Sequence, residues 1–312
     1  MDKASKIYVA GHRGMVGSAI VRRLKSAGYL NIVTRTRTEL DLTQQEPVSN
    51  FLKHEKPDYI FMAAAKVGGI HANNVYRADF LYHNLIIEAN LTHAASEAGI
   101  ERMLFLGSSC IYPRDCPQPI KEEYLLTGPL ELTNEPYAIA KIAGVKLCEC
   151  YNSQYGRQYV SAMPTNLYGP NDNYDLSTSH VLPALIRKAH EAKLRGDKVY
   201  EVWGSGLPMR EFLYVDDMAD ACVFIMEHQE IQGGLFNIGT GADVTIRELA
   251  ETVMKVVKFD GKIVFDSSKP DGTPRKLLDV EKMRKLGWTA STGLEAGIEL
   301  AYGDFLNQTW SA

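Results

Sequence analysis

Long apolar runs are missing from this chain, and with them the material for a bilayer-spanning helix, which needs about 20 consecutive apolar residues. The opening Met1-Asp2-Lys3-Ala4-Ser5 leads straight into an apolar strand-like stretch without the core of a secretory signal, so a cytoplasmic protein with no membrane partner is expected. An excess of positive charge is missing as well. With a formal net charge of −4 and scattered Lys and Arg, no nucleic-acid partner is expected, and anion binding is left to local basic groups. Cysteine is sparse and odd in number: Cys110, Cys116, Cys148, Cys150 and Cys222 do not suggest a disulfide framework. Cys148 and Cys150 are turned well apart on a helix, which is no metal spacing, and no metal site is expected. Repeats, low-complexity tracts and long linkers are absent too. What remains is an ordinary globular composition, 45% hydrophobic over 312 residues, enough for one large or two modest domains.

Strand, glycine turn and helix arrive in that order at the start. Residues 6–10 read as a buried strand, Gly11-His12-Arg13-Gly14-Met15-Val16-Gly17 as a turn, and 18–27 as an amphipathic helix. The G-x-x-G-x-x-G spacing lets backbone amides approach a pyrophosphate at a helix N-terminus, where the dipole favours negative charge. A second strand, 31–34, ends in Thr34-Arg35-Thr36-Arg37, where NAD-binding folds usually carry an acid for the ribose hydroxyls. Guanidinium groups pair well with phosphate, so Arg35 and Arg37 favour NADP(H) over NAD, the plainer reading being two solvated loop residues.

The alternation continues with a helix at 47–55, a strand at 59–64, a helix at 78–98, and strands at 102–106 and 158–163. This rhythm predicts an α/β protein with a Rossmann-type doubly wound parallel sheet. Gly107-Ser108-Ser109-Cys110-Ile111-Tyr112 delivers hydroxyls and a thiol to the carboxyl edge of that sheet, where open α/β folds bind ligands. In Tyr137-Ala138-Ile139-Ala140-Lys141 a phenol and an ammonium lie one turn apart on one helix face, with Pro136 suited to the first turn. A neighbouring cation favours the phenolate, so Lys141 is expected to lower the tyrosine pKa from its usual value of about 10. Gly and Pro at 164–170 mark the first exit from the main domain. Residues 1–170 are expected to form that domain, with 211–239 returning to it, and 171–210 with 240–312 to form a smaller C-terminal α/β lobe.

The glycine turn, the serine-bearing strand end and Y-x-x-x-K, in this order over this length, resemble the extended short-chain dehydrogenases/reductases that act on nucleotide-sugars. Longer strings narrow the likeness: Ala65-Lys66-Val67-Gly68-Gly69-Ile70, Gly107 to Pro113, Asn134-Glu135-Pro136 before Tyr137, and Pro270-Asp271-Gly272-Thr273-Pro274-Arg275-Lys276. They are similar to those of the 3,5-epimerase-4-reductases of GDP-4-keto-6-deoxy-D-mannose, and the resemblance covers essentially the whole chain. It implies an NADP(H) site made of Gly11, His12, Arg13, Gly14, Met15, Val16, Gly17, Arg35, Arg37, Leu106, Lys141, Pro164, Asn166, Leu167 and His180. It also implies a GDP-sugar substrate held by Lys188, Trp203, Arg210 and Asp271, with Arg187 or Lys188 as the helix cation, and a homodimer through the two long helices.

The same likeness assigns catalysis to Ser108, Cys110, Tyr137, Lys141 and His180. A carbonyl reduction needs a proton donor, which Tyr137 supplies while Ser108 orients the carbonyl. Epimerisation needs a base beside the ketone, and a thiol with a reference pKa of about 8.5 is tunable enough for Cys110 to serve. His180, in Ser179-His180-Val181-Leu182-Pro183, would return the proton. An NAD-dependent nucleotide-sugar 4-epimerase shares the fold, Tyr137 and Lys141, and is the competing reading.

Overall fold

Parallel pairing runs through the main sheet because each of its strands is followed by a crossover that buries an apolar face before the chain returns. The computed structural model describes residues 1–269 and 271–308, the side chains of residues 70 and 71 excepted, so Pro270 of the motif at 270–276 lies outside the described residues. In chain order the first half holds β1 (Ile7–Ala10), α1 (Met15–Ser26), β2 (Ile32–Val33), α2 (Gln45–Glu55), β3 (Tyr59–Met62), α3 (Ile70–Val75), α4 (Arg77–Glu97), β4 (Arg102–Leu106) and α5 (Glu135–Tyr155). Then come β5 (Gln158–Pro164), β6 (Asn166–Tyr168), α6 (Val181–Arg195), β7 (Val199–Trp203), β8 (Met209–Tyr214), α7 (Val215–Glu227) and β9 (Gly234–Ile238). The last stretch holds β10 (Asp243–Thr245), α8 (Ile246–Val257), β11 (Lys262–Asp266), β12 (Arg275–Lys276), α9 (Glu281–Lys285) and α10 (Leu294–Asn307).

The main sheet is ordered β2-β1-β3-β4-β5-β9 and is parallel throughout, as the strand–helix rhythm predicts. Chain direction across the sheet reverses at β1 and β3, which opens a crevice at their carboxyl ends. One face carries α1 and α7 over a core that includes Ile20, Leu24, Met218 and Cys222; the other carries α2, α4 and α5 over Leu52, Leu91, Phe105 and Val145. A separate core of Leu185, Ile186, Phe212, Leu249, Val253 and Phe305 joins α6, α8 and α10 into the smaller lobe. Thr245 and Glu248 close a reciprocal capping box that starts α8.

Several boundaries differ from the sequence reading for identifiable reasons. The strand β8, which runs into the 211–239 stretch expected to return to the main sheet, pairs instead with β6, β10 and β12, and within 211–239 the strand that joins the main sheet is β9, beside β5. Met283 and Trp288, from the stretch assigned to the lobe, pack on the main core, and Trp288 Nε1 donates to Asp220 Oδ2 at 2.9 Å. The short α3 was hidden behind Gly68-Gly69. Cys148 is buried and Cys150 exposed, so the two thiols face apart. Among the described residues no helix is long and apolar enough to cross a membrane.

Candidate active site

The turn between β1 and α1 is shaped for a close-approaching ligand. Gly11 has φ +82, and a Cβ on it would lie 2.7 Å from the Ala64 amide nitrogen, so the turn packs directly on the end of β3. A Cβ on Gly17 would sit 2.1 Å from the Gly11 carbonyl oxygen, which brings the first turn of α1 against the loop. Gly14, the N-cap of α1, offers no side-chain acceptor to the helix's first amides, and His12 Nδ1 is buried without a partner. Free amides at a helix N-terminus in the sheet crevice fit a dinucleotide pyrophosphate. Arg13 is exposed beside them. Arg35 is half-buried, paired with Glu55 at 2.6 Å and stacked over Phe51 at 5.1 Å, whereas the Arg37 side chain is 80% exposed. On the far side of the crevice Leu106 is buried, Pro164 ends β5, and Asn166 Nδ2 donates to the Glu211 carbonyl at 2.8 Å.

Beyond β4 the chain turns tightly at Ser109–Ile111, and the Cys110 amide donates to Ser108 Oγ at 3.4 Å. The turn keeps the hydroxyl and the thiol together at the carboxyl edge. Burial pushes the Cys110 thiol above its usual value, while Lys276, the Ser108 hydroxyl and Lys141 pull it back down. Lys276 itself is held below the usual ammonium range by desolvation, with Cys110 opposing.

Tyr137 opens α5, where Pro136 sits in the first turn and Asn134 is the N-cap, and its ring meets Phe80 edge-on at 6.3 Å between centroids. Its phenol is held well above the ordinary tyrosine value by desolvation first, then by Cys110 and Glu88. This overturns the expectation that Lys141 would lower it. Lys141 Nζ lies 5.7 Å from the Tyr137 ring centroid, yet it is buried and engaged elsewhere: it pairs with Glu88 at 2.9 Å and donates to the Leu106 carbonyl at 3.0 Å. Sequence reasoning passed over Glu88. The available signal was a lone acid inside Leu85-Ile86-Ile87-Glu88-Ala89, an apolar stretch of a long helix.

His180 is the N-cap of α6 and stands at the cleft surface, open to solvent but walled by protein, and desolvation lowers its imidazole below the usual value. The loop after β3 ties it to the Tyr137 side of the cleft. Gly69 donates its amide to the Thr178 carbonyl at 2.9 Å, and a Cβ on Gly68 would lie 3.1 Å from Phe80 Cζ, the ring that meets Tyr137. Ser179 Oγ, just before His180, is buried with no partner.

In the smaller lobe the structure separates the two helix cations. Lys188 Nζ lies 4.3 Å from the centroid of Trp203, whose face is 55% exposed, and desolvation lowers its pKa. Arg187 turns the other way, donating to Glu191 at 2.7 Å and to the Tyr174 carbonyl at 3.1 Å. Asp271 accepts from the Ser205 amide at 2.8 Å and the Ser205 hydroxyl at 2.6 Å, and its charge faces Arg210. Lys269, 5.3 Å from the Trp203 centroid, joins this group although it was not singled out from sequence. An indole face, two ammoniums and a guanidinium together suit a base and its diphosphate.

The model of the NAD dependent epimerase/dehydratase family matches residues 7–239. GDP-L-fucose synthase 1 of Arabidopsis thaliana is 58% identical over 307 residues, covering 98% of this chain and 94% of that protein. GDP-L-fucose synthase of Escherichia coli (strain K12) is 56% identical over 309 residues, covering 96% of each. Among solved structures, the GDP-mannoheptose C4 reductase MlghC from Campylobacter jejuni with NADP bound has a TM-score of 0.89 at 39% identity, covering 98% of this chain and 99% of that one.

Proposed function

The chain belongs to the NAD dependent epimerase/dehydratase family, in its extended short-chain dehydrogenase/reductase form, and from its site we propose that it converts GDP-4-keto-6-deoxy-D-mannose into GDP-L-fucose. It epimerises C3 and C5 and reduces C4 with NADPH. The observation that carries this reading is the thiol of Cys110, set by one tight turn beside Ser108 and in electrostatic contact with Tyr137. A reduction alone has no use for a second proton-handling group there, whereas two epimerisations do.

Ser108 Oγ and the Tyr137 hydroxyl hold the C4 carbonyl oxygen. Cys110, as thiolate, takes a proton from a flanking carbon, and the C–H electron pair moves toward O4, where the two hydroxyls stabilise the enolate. His180, from another wall of the cleft, returns a proton to that carbon. When bound, the nicotinamide supplies the hydride for C4. Tyr137 then gives its phenolic proton to O4. Lys141 would hold the cofactor ribose from its anchored position, and Arg35 and Arg37 would meet the 2′-phosphate of NADP(H), a choice supported by the absence of an acid at the end of β2. Lys188, Trp203, Arg210 and Asp271 bind the GDP moiety, with Lys269 beside them.

The protein acts as a cytoplasmic homodimer in this reading. Apolar residues on the outer surfaces of α4 and α5, Tyr82 at 60% and Ile139 at 44% exposure, support their pairing with the same helices of a second copy. Incubation with GDP-4-keto-6-deoxy-D-mannose and NADPH tests the reaction: one NADPH is consumed per 6-deoxy-galactose product formed, with solvent deuterium at C3 and C5. A product that keeps the manno configuration would mark a plain 4-reductase. A 4-keto sugar left unconverted with its NADPH intact would favour a 4-epimerase, whose substrate must carry a C4 hydroxyl, and exchange at C3 and C5 without NADPH consumption would mark an epimerase that does not reduce.

A further inference from the structure

The one buried acid in contact with the catalytic group among the described residues is Glu88, and the reaction above makes no use of it. Its side chain and that of Lys141 are 1% and 2% exposed, with Lys141 Nζ 2.9 Å from Glu88 Oε1. Among the described residues no donor other than the Lys141 ammonium reaches the Glu88 oxygens, and that ammonium opposes the upward push of burial on the carboxyl, so it is its counter-charge. The pocket around it is built for the carboxylate's bulk: a Cβ on Gly144 would lie 2.8 Å from Glu88 Oε2 and 2.3 Å from Phe105 Cζ. Phe105 also lies under the Lys141 ammonium, 4.8 Å from centroid to Nζ. Lys141 is therefore clamped by Glu88, the Leu106 carbonyl and an aromatic face, with its remaining side toward Tyr137.

We propose that Glu88 is a positioning residue of this site: it fixes the Lys141 ammonium and balances its charge, so that Tyr137 stays in the proton-donating form that carbonyl reduction requires. Lone cations beside a phenol favour phenolate, and a phenolate has no proton to give. A matched ion pair beside the phenol removes that bias while leaving the ammonium's remaining donor for the cofactor ribose. The other groups facing this pair and phenol are Cys110 on the turn after β4, Cys148 on α5, and, facing Cys110, Lys276 on β12; Lys66 lies over the Phe80 ring that meets Tyr137. Glu88 is the acid among them.

The proposal deepens the reductase reading and rests on it, so its test has a readout that needs no turnover. The phenolate absorbance of Tyr137 is isolated as the difference between each protein and the same protein carrying Tyr137→Phe, titrated with NADP+ bound. Glu88→Gln keeps the shape and removes the charge; the Tyr137 titration is expected to fall by about one pH unit or more, and the alkaline limb of NADPH oxidation to move down with it. Glu88→Asp keeps the charge but shortens the reach; the titration is expected to stay in place while the KM for NADPH rises about tenfold, because a displaced ammonium no longer meets the ribose. A residue that merely supported the fold would lower thermal stability without moving the titration. Superimposable titrations for wild type and Glu88→Gln overturn the proposal, as does wild-type kinetics in Glu88→Asp should Glu88→Gln fail to fold. If the wild type oxidises no NADPH with the 4-keto sugar, the reductase reading fails, and the phenol titration still decides the charge balance.

Discussion

The Cys110 amide donates to Ser108 Oγ at 3.4 Å, which ties the hydroxyl proposed to orient the carbonyl and the thiol proposed to accept the proton into a single turn after β4. Replacing Cys110 by Ser keeps the turn and nearly the volume but substitutes a hydroxyl that does not ionise near neutral pH. Exchange of solvent deuterium into C3 and C5 is expected to fall at least about 100-fold, the usual worth of a general base, with NADPH affinity unchanged. Mass spectrometry of sugar recovered from heavy water checks this, and wild-type exchange in Cys110→Ser would remove the thiol from the mechanism.

The same thiol and His180 carry an unusual pH expectation. Burial holds Cys110 above its reference value of 9.0 and His180 below its reference value of 6.5. The active form needs the thiolate and the imidazolium together, the reverse of the dominant ionisation between those values. The fraction of that form is constant between the two pKa values, because raising pH gains thiolate as fast as it loses imidazolium. Exchange at C3 and C5 is therefore expected to be flat across the whole of pH 6.5 to 9.0, falling only below the lowered His180 value as thiolate is lost and above the raised Cys110 value as imidazolium is lost. A sharp maximum inside that window would contradict the assignment.

Arg35 and Arg37 differ in their freedom, and so should their variants. Arg35 is tied to Glu55 at 2.6 Å, whereas Arg37 is 80% exposed. Arg37→Ala is expected to raise the KM for NADPH about tenfold, the equivalent of about 1.4 kcal/mol, with little change for NADH. Arg35→Ala is expected to weaken NADPH and also lower the melting temperature, since it leaves Glu55 only the longer Lys6 contact at 3.5 Å and uncovers Phe51. Equal losses for the two cofactors in the double variant would remove the case for a 2′-phosphate contact.

Adjacent cations on α6 should separate in kinetics. Lys188→Ala and Trp203→Ala are expected to raise the KM for the GDP-sugar at least about tenfold, because they remove a desolvated ammonium and the indole face it covers. Arg187→Ala, which loses bonds to Glu191 and the Tyr174 carbonyl, is expected to lower thermal stability with a small effect on KM. Initial rates and thermal melts of the three variants suffice.

Much of this protein was legible locally. The alternation of apolar strands with helices, the glycine turn directly after β1, the hydroxyl and thiol after β4, and the four-residue step from Tyr137 to Lys141 are each short-range patterns, and they determined a parallel-sheet dinucleotide fold with a reductase site. Tertiary structure decided what those patterns leave open. Whether Lys141 acts as a lone cation depends on Glu88, which reaches it from another helix because α4 packs along α5. Whether β8 joins the main sheet depends on which edges are free for hydrogen bonding, and β9 takes the place beside β5 while β8 pairs within the smaller lobe. Consecutive helix residues point about 100° apart, so sequence offers Arg187 and Lys188 equally, and only the packing of α6 turns one toward Trp203 and the other toward Tyr174.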